Sequence, residues 1–185
     1  MAEQTFTSGQ ILTAAQMTTL QTNTGLNYIS TTNFSGSTVA QIASVFTSSY
    51  TNYRAIIRIK GAATSSLYLR TLIGTTVQTD NLYSIQYGVR YSAGTLTAST
   101  RGDQYALFGA VAATYQSNYI VDFFSPQAAS YTNINMTGTF QFTATDHDAV
   151  TISARNAVTT QLNGFELNSA GATNIDGSVV LYGYR

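Results

Sequence analysis

The sequence predicts an all-β protein: an antiparallel two-sheet sandwich, jelly-roll-like, with a short N-terminal helix. Three observations carry this. Short runs alternate apolar with polar side chains from Tyr53 almost to the last residue, the period-two signature of half-buried strands. Clusters of Gly, Ser, Asn and Asp punctuate those runs as turns. No long helical pattern separates any two of them, which argues against a parallel α/β sheet.

The helix comes first. In FTSGQILTAAQMTTLQTN, Thr13 and Gln16 have the spacing of a capping box, and Leu12 and Met17 that of a hydrophobic staple. Met17 and Leu20 share a face, so a helix is expected from about Ala14 to Thr22. Its apolar stripe is too thin to hold a two- or three-turn helix together in isolation. It is therefore expected to dock on something, with Leu12, Met17 and Leu20 as attachment residues. The next stretch, TGLNYISTTNFSGS, reads as a linker with turns. The chain accordingly divides into an N-terminal attachment segment, residues 1–36, and a sandwich domain, residues 37–185.

Strand signals follow. YRAIIRIKG places Ala55, Ile57 and Ile59 on one face and Arg54, Arg58 and Lys60 on the other, interrupted by Ile56. SLYLRTLIG alternates Leu67, Leu69, Thr71 and Ile73 against Tyr68, Arg70 and Leu72. NLYSIQYGVRY gives the cleanest period-two run, Tyr83, Ile85, Tyr87, Val89 and Tyr91. QYALFGAVAA and NYIVDFFS come next. NINMTGTFQFTA sets Met136, Phe140 and Phe142 together, and AVTISARN sets Val150, Ile152 and Ala154 together. Phe165 and Leu167 mark a penultimate strand. Roughly eight or nine strands at this spacing suit a sandwich. The sole proline, Pro126, falls between two runs, where it removes no ladder hydrogen bond.

The chain ends on DGSVVLYGYR, with Asp176-Gly177 read as the preceding turn. Val179, Leu181 and Gly183 face one way; Val180, Tyr182 and Tyr184 face the other. Large side chains on both faces mean a central strand or a second face that meets a partner. Tyrosine suits a partner, because it buries a ring and keeps a polar tip. Tyr182 and Tyr184 are therefore candidate interface residues.

Composition limits the function classes. Charged residues make up 9% of the chain, against about 25% in ordinary domains, and eight basic residues balance eight acidic ones. Hydroxyls and amides do the solvating, and a net charge near zero removes one defence against association. Nucleic acid is not expected as a partner, because the arginines are scattered singly. No cysteine is present, which excludes disulfides and thiolate metal sites. The N-terminal residues lack a signal-peptide pattern, so export is not expected, and no stretch is apolar enough for a membrane helix.

Motifs with chemistry are few. Arg101-Gly102-Asp103 is read as a hairpin turn rather than an adhesion site. Asp146, His147 and Asp148 could hold a divalent ion only if a turn made them converge, and no spaced ligands complete a zinc set. Any Ser-His-acid triad would need His147, the single histidine, and no nucleophile-elbow motif is present. Asp122 and Glu166 are the acids inside apolar runs. They would suit a glycosidase only if brought about 5 Å apart for retention, or somewhat farther for inversion. Asp122, if buried, needs a partner such as an arginine. No catalytic, cofactor-binding or metal residues are assigned.

Two segments together resemble tailed-bacteriophage virion structural proteins. The N-terminal stretch is similar to their common opening, through Phe6, Gly9, Leu12, Thr13, Ala14, Met17 and Leu20; Thr18 stands where an asparagine is usual. SVFTSSYTNYRAIIRI and GSVVLYGYR resemble the start and end of the sandwich in phage fibre, tail and head-decoration proteins. The matching residues are Val45, Phe46, Tyr50, Tyr53 and Arg54, then Gly177, Val179, Tyr182, Gly183 and Tyr184. The resemblance implies a non-enzymatic virion component, commonly a homotrimer, whose N-terminal segment attaches to capsid or tail proteins. The short chain favours a capsid decoration or cement protein, or a small head or tail appendage. The alternative is a receptor-recognition module that stacks its tyrosines on a host surface glycan.

Overall fold

The fold, a computed structural model, describes residues 8–9, 11, 13–23, 25–79, 83–90, 96–103, 106–141 and 147–185; for 19–23, 83–90, 96–103, 106–108 and 147 it describes the backbone only. The helix α1 spans Ala14–Asn23. Thr13 caps it as expected: its backbone amide donates to Gln16 Oε1 at 2.9 Å, and the Gln16 amide donates back to Thr13 Oγ1 at 3.3 Å. Leu12 lies outside the described residues, so the staple does too.

Thirteen strands are described: β1 (Asn27–Ser37), β2 (Val39–Ile42), β3 (Asn52–Gly61), β4 (Ser65–Ile73), β5 (Thr76–Val77), β6 (Tyr83–Arg90), β7 (Leu96–Asp103), β8 (Ala106–Val111), β9 (Ser117–Phe124), β10 (Thr132–Gln141), β11 (His147–Asn156), β12 (Gly164–Ser169) and β13 (Ile175–Tyr184). They form two antiparallel sheets. The large one runs β1-β13-β3-β9-β10-β11-β6-β7; the small one runs β2-β12-β4-β5, with β8 also paired to β4. The all-β sandwich and its short N-terminal helix are as expected.

The inward faces form the core. Ala55, Ile57 and Ile59 of β3 meet Val121 and Phe123 of β9, Ile134 and Met136 of β10, and Val150, Ile152 and Ala154 of β11. Leu67 and Leu69 of β4, with Phe165 and Leu167 of β12, close the opposite side. The ring of Phe46 lies 4.7 Å from Tyr53, 5.0 Å from Phe123 and 6.1 Å from Phe165, joining the sheets through one aromatic cluster. Tyr53 is fully buried; its hydroxyl donates to the Thr47 carbonyl at 2.5 Å and accepts from the Thr47 amide at 2.7 Å. That pins the loop before β3 and satisfies a buried polar tip.

The segments that carried the resemblance meet here in space. Tyr53 pairs with Gly183, Arg54 with Tyr182, and Ile57 with Val179. The ring of Tyr50 lies so close to Gly183 that an added Cβ would come within 2.3 Å of it. Gly183 is therefore required by close approach, not by turn geometry. The same logic holds at Gly138, where a Cβ would strike the ring of Tyr119 at 2.1 Å.

Three expectations are corrected. The stretch read as a linker contains β1, which pairs with β13 from Asn27↔Gly183 to Ser37↔Ile175. Residues 27–36 thus belong to the sandwich. The stretch lacks apolar alternation because β1 is an edge strand: hydrogen bonding to its neighbour places it, more than burial. Asp176-Gly177 is not a turn but lies within β13, opposite Lys60 and Ile59; the turn is the 3-10 segment Ala170–Ala172. Arg101-Gly102-Asp103 ends β7 as paired strand, opposite Ile85, Ser84 and Tyr83.

Candidate functional site

The outward face of the large sheet can be built row by row from its register. Val180 lies opposite Ile56, Ile56 opposite Ile120, Ile120 opposite Thr137, and Thr137 opposite Thr151. The next row is Tyr182, Arg54, Asp122, Asn135 and Ser153. The third is Tyr184, Asn52, Phe124, Asn133 and Arg155. The alternation that sends Val179 and Leu181 into the core sends Val180, Tyr182 and Tyr184 onto this face.

Tyr182 and Tyr184 therefore stand together on one surface, both half-buried. The terminal strand is also internal to the sheet, between β1 and β3, so its two-sided apolar pattern reflects both a central place and an open outer face. Tyr28 of β1 is exposed and packs edge-on against Tyr182, with ring centroids 6.1 Å apart. Arg54 and Asp122 form a two-bond pair, Nε to Oδ1 at 2.7 Å and Nη2 to Oδ2 at 2.8 Å. Asp122 thus has the arginine its position demanded. The hydrogen bond to Asp122 raises the Arg54 guanidinium further above its ordinary pKa. Burial, then the Asp122 charge, raises the Tyr184 phenol.

Beside this pair the face is low, and the apolar Ile56 and Ile120 adjoin the exposed Arg58 there. Ile120 is 42% exposed. It borders a shallow depression of about 480 Å³ together with Ile56, Thr137, Ala149 and Thr151. Small side chains on β10 and β11 leave the sheet surface sunken next to the two isoleucines. The Val180–Ile56–Ile120 row was not singled out from the sequence. Its signal was the irregular Ile56, which broke the charged face of β3.

Several sequence candidates do not come together. Asp122 points outward from the large sheet. Glu166, 3% exposed, sits on the small sheet opposite Gln41 and Arg70, and accepts from Gln41 Nε2 at 3.2 Å and Arg70 Nη1 at 3.4 Å. The two acids lie on opposite outer surfaces of the sandwich, so neither glycosidase geometry is available to them. His147 begins β11 and Asp148 is buried beside it, while Asp146 lies outside the described residues. Among the described residues no cluster of three or more metal-ligating side chains occurs. Met17 is half exposed on α1. Leu20 lies on the same helix, and Leu12 lies outside the described residues.

No family model, no curated protein and no solved structure matches the chain.

Proposed function

We propose that the chain is a non-enzymatic structural protein of a phage particle, a homotrimeric capsid decoration or cement protein or a small head or tail appendage. The virion setting rests on the sequence resemblance. The observation that carries the structural side of the reading is the open face of the large sheet. There Tyr28, Tyr182 and Tyr184 adjoin the Val180–Ile56–Ile120 row, and the Arg54–Asp122 pair neutralises its own charge. Aromatic residues and arginine, such as the Arg58 that also lines the depression on this face, are enriched in interfaces.

Light scattering on the purified chain, followed by co-sedimentation with capsids lacking it, tests the reading. A trimer that sediments with the capsids is the expected result. A concentration-independent monomer of 19.8 kDa that stays in the supernatant overturns it.

A second reading, glycan recognition, is favoured by Tyr131. This residue is half exposed, with the Arg155 guanidinium 4.8 Å above its ring centroid. A glycan array of bacterial surface polysaccharides tests it, and silence across the array removes it.

A further inference from the structure

The cations whose side chains are described are engaged unequally. Arg54 and Arg70 are ion-paired, Arg155 lies over the Tyr131 ring, and Arg185 ends the chain. Arg58 and Lys60, the sole lysine, stand two residues apart on the outward face of β3, both exposed. That spacing sets their attachment points about 6.6 Å apart on one face. No ion pair within the described residues reaches either of them. Asp176 lies opposite Lys60 and offsets one positive charge, but both side-chain hydrogen bonds it accepts come from β1.

Arg58 lines two depressions at once. One, of about 330 Å³, adds Lys60, Gln116 and Ser178; the other is the depression beside Ile120. The two adjoin at Arg58 and form a shallow trough from β13 to β11, roughly 19 Å at the usual strand spacing. Its polar groups are unengaged. Ser178 and Asn118 flank Arg58 on the neighbouring strands. Their side chains, and that of Gln116, make no hydrogen bond to another described residue. Two rows away the reverse holds: Arg54 is committed to Asp122, and Ser153 Oγ donates to Asn135 Oδ1 at 2.9 Å. Adjacent cations with unengaged amides and a hydroxyl beside them are the complement of an oxyanion.

We infer that Arg58 and Lys60 bind the carboxylate or sulfate of an acidic polysaccharide whose chain lies along the trough. Sugar rings suit the rest of it. Their hydroxyls donate and accept, as do those of Thr137 and Thr151 and the amide of Asn118, and their C–H faces can cover Ile56 and Ile120. An acidic peptide laid across a sheet face would leave its backbone amides unpaired, because an extended peptide takes those bonds from a sheet edge. The inference goes beyond the glycan reading through Tyr131. That residue adjoins Arg155 in the row of Asn52, at the opposite end of the face from Lys60, so the two sites are tested separately.

The full-length protein is titrated at one salt concentration with oligogalacturonate and with dextran sulfate. Their uncharged counterparts, the methyl ester and dextran, and polyglutamate are run beside them. The expected result is binding of an acidic polysaccharide, and which of the two binds identifies carboxylate or sulfate. Its uncharged counterpart is expected to bind about tenfold more weakly or worse, the size of one charge-assisted hydrogen bond. Arg58→Gln and Lys60→Gln should each show a similar loss, while Tyr131→Ala keeps the parent affinity. Asn118→Ala changes no charge and should still lose about fivefold, which general attraction to a positive patch would not produce. All four variants are expected to melt as the parent does.

Four outcomes overturn the inference. Uncharged counterparts that bind as tightly as the acids remove the anion site and leave the Tyr131 reading standing. An Arg58→Gln/Lys60→Gln double variant that binds as the parent does removes this place on the sheet. Polyglutamate that binds as tightly as the polysaccharides removes the sugar. A parent that binds neither acidic polysaccharide removes the site, whatever the glycan array shows for Tyr131.

Discussion

Two ion pairs occupy equivalent places on the two outer surfaces of the sandwich, and they are built differently. Arg54 and Asp122 lie directly opposite on β3 and β9 and make two short bonds, yet Arg54 is 38% exposed. Arg70 and Glu166 lie directly opposite on β4 and β12 with a single contact at 3.4 Å, and Glu166 is sealed to 3%. The first has the better geometry and the second has less water. Desolvation dominates what the loss of a partner costs, so the poorer bond is the more consequential one. On the large sheet the charged pair remains accessible, as the proposed interface would require. On the small sheet the carboxylate is committed to Gln41 and Arg70 and serves the fold.

The strongest test of the contrast is Arg70→Ala. Stranding the Glu166 carboxylate should cost about 3 kcal/mol of stability, read by urea denaturation. Adding Glu166→Gln should restore most of that loss. A single-variant loss no larger than that of an exposed pair would erase the distinction. Next comes Asp122→Ala on the open face, expected to cost about 0.5–1 kcal/mol, and less in 1 M salt, because water screens the pair. A salt-independent loss would mean the face is covered even in the isolated chain.

The smallest effect is at Asp176. Its carboxylate accepts from Ser35 Oγ at 2.6 Å and from the Gly36 amide at 2.8 Å, tying the end of β1 to β13. The Ser35 hydrogen bond, then the Gly36 amide, holds its pKa below the ordinary 3.8. A depressed folded-state pKa contributes stability that is complete above the unfolded value and is lost as pH falls through the folded one. The melting temperature of the parent should therefore converge on that of Asp176→Asn as pH is lowered from 5 to 2. Parallel curves would show that the carboxylate contributes nothing.

Much of the core was legible because alternation is a local property. Ala55, Ile57, Ile59, Met136, Val150, Ile152 and Ala154 are all buried where period two placed them. The cap of α1 was legible for the same reason, since Thr13 and Gln16 satisfy each other within one turn. What was misread depended on a distant strand. Asp176-Gly177 has turn chemistry, but pairing with Lys60 and Ile59 overrides it. Likewise, β1 has weak strand signals because the free edge of β13 supplies its order. Of the open face, Tyr182 and Tyr184 could be read from a two-sided strand. The Ile56–Ile120 contact could not, because its members come from strands far apart in the chain.

The sequence by itself determined which side of each main strand turns inward, because a two-residue repeat assigns every side chain to one of two faces. It also determined that the chain would be solvated by hydroxyls and amides rather than by charge. Only the tertiary structure decided which strands became neighbours. It set β13 between β1 and β3, sent Asp122 and Glu166 to opposite surfaces, and assembled Val180, Ile56 and Ile120 into one row. The physical reason is that alternation specifies the faces of a strand but not its lateral partner. That choice is made by closing one shared core, and the character of the outer surfaces follows from it.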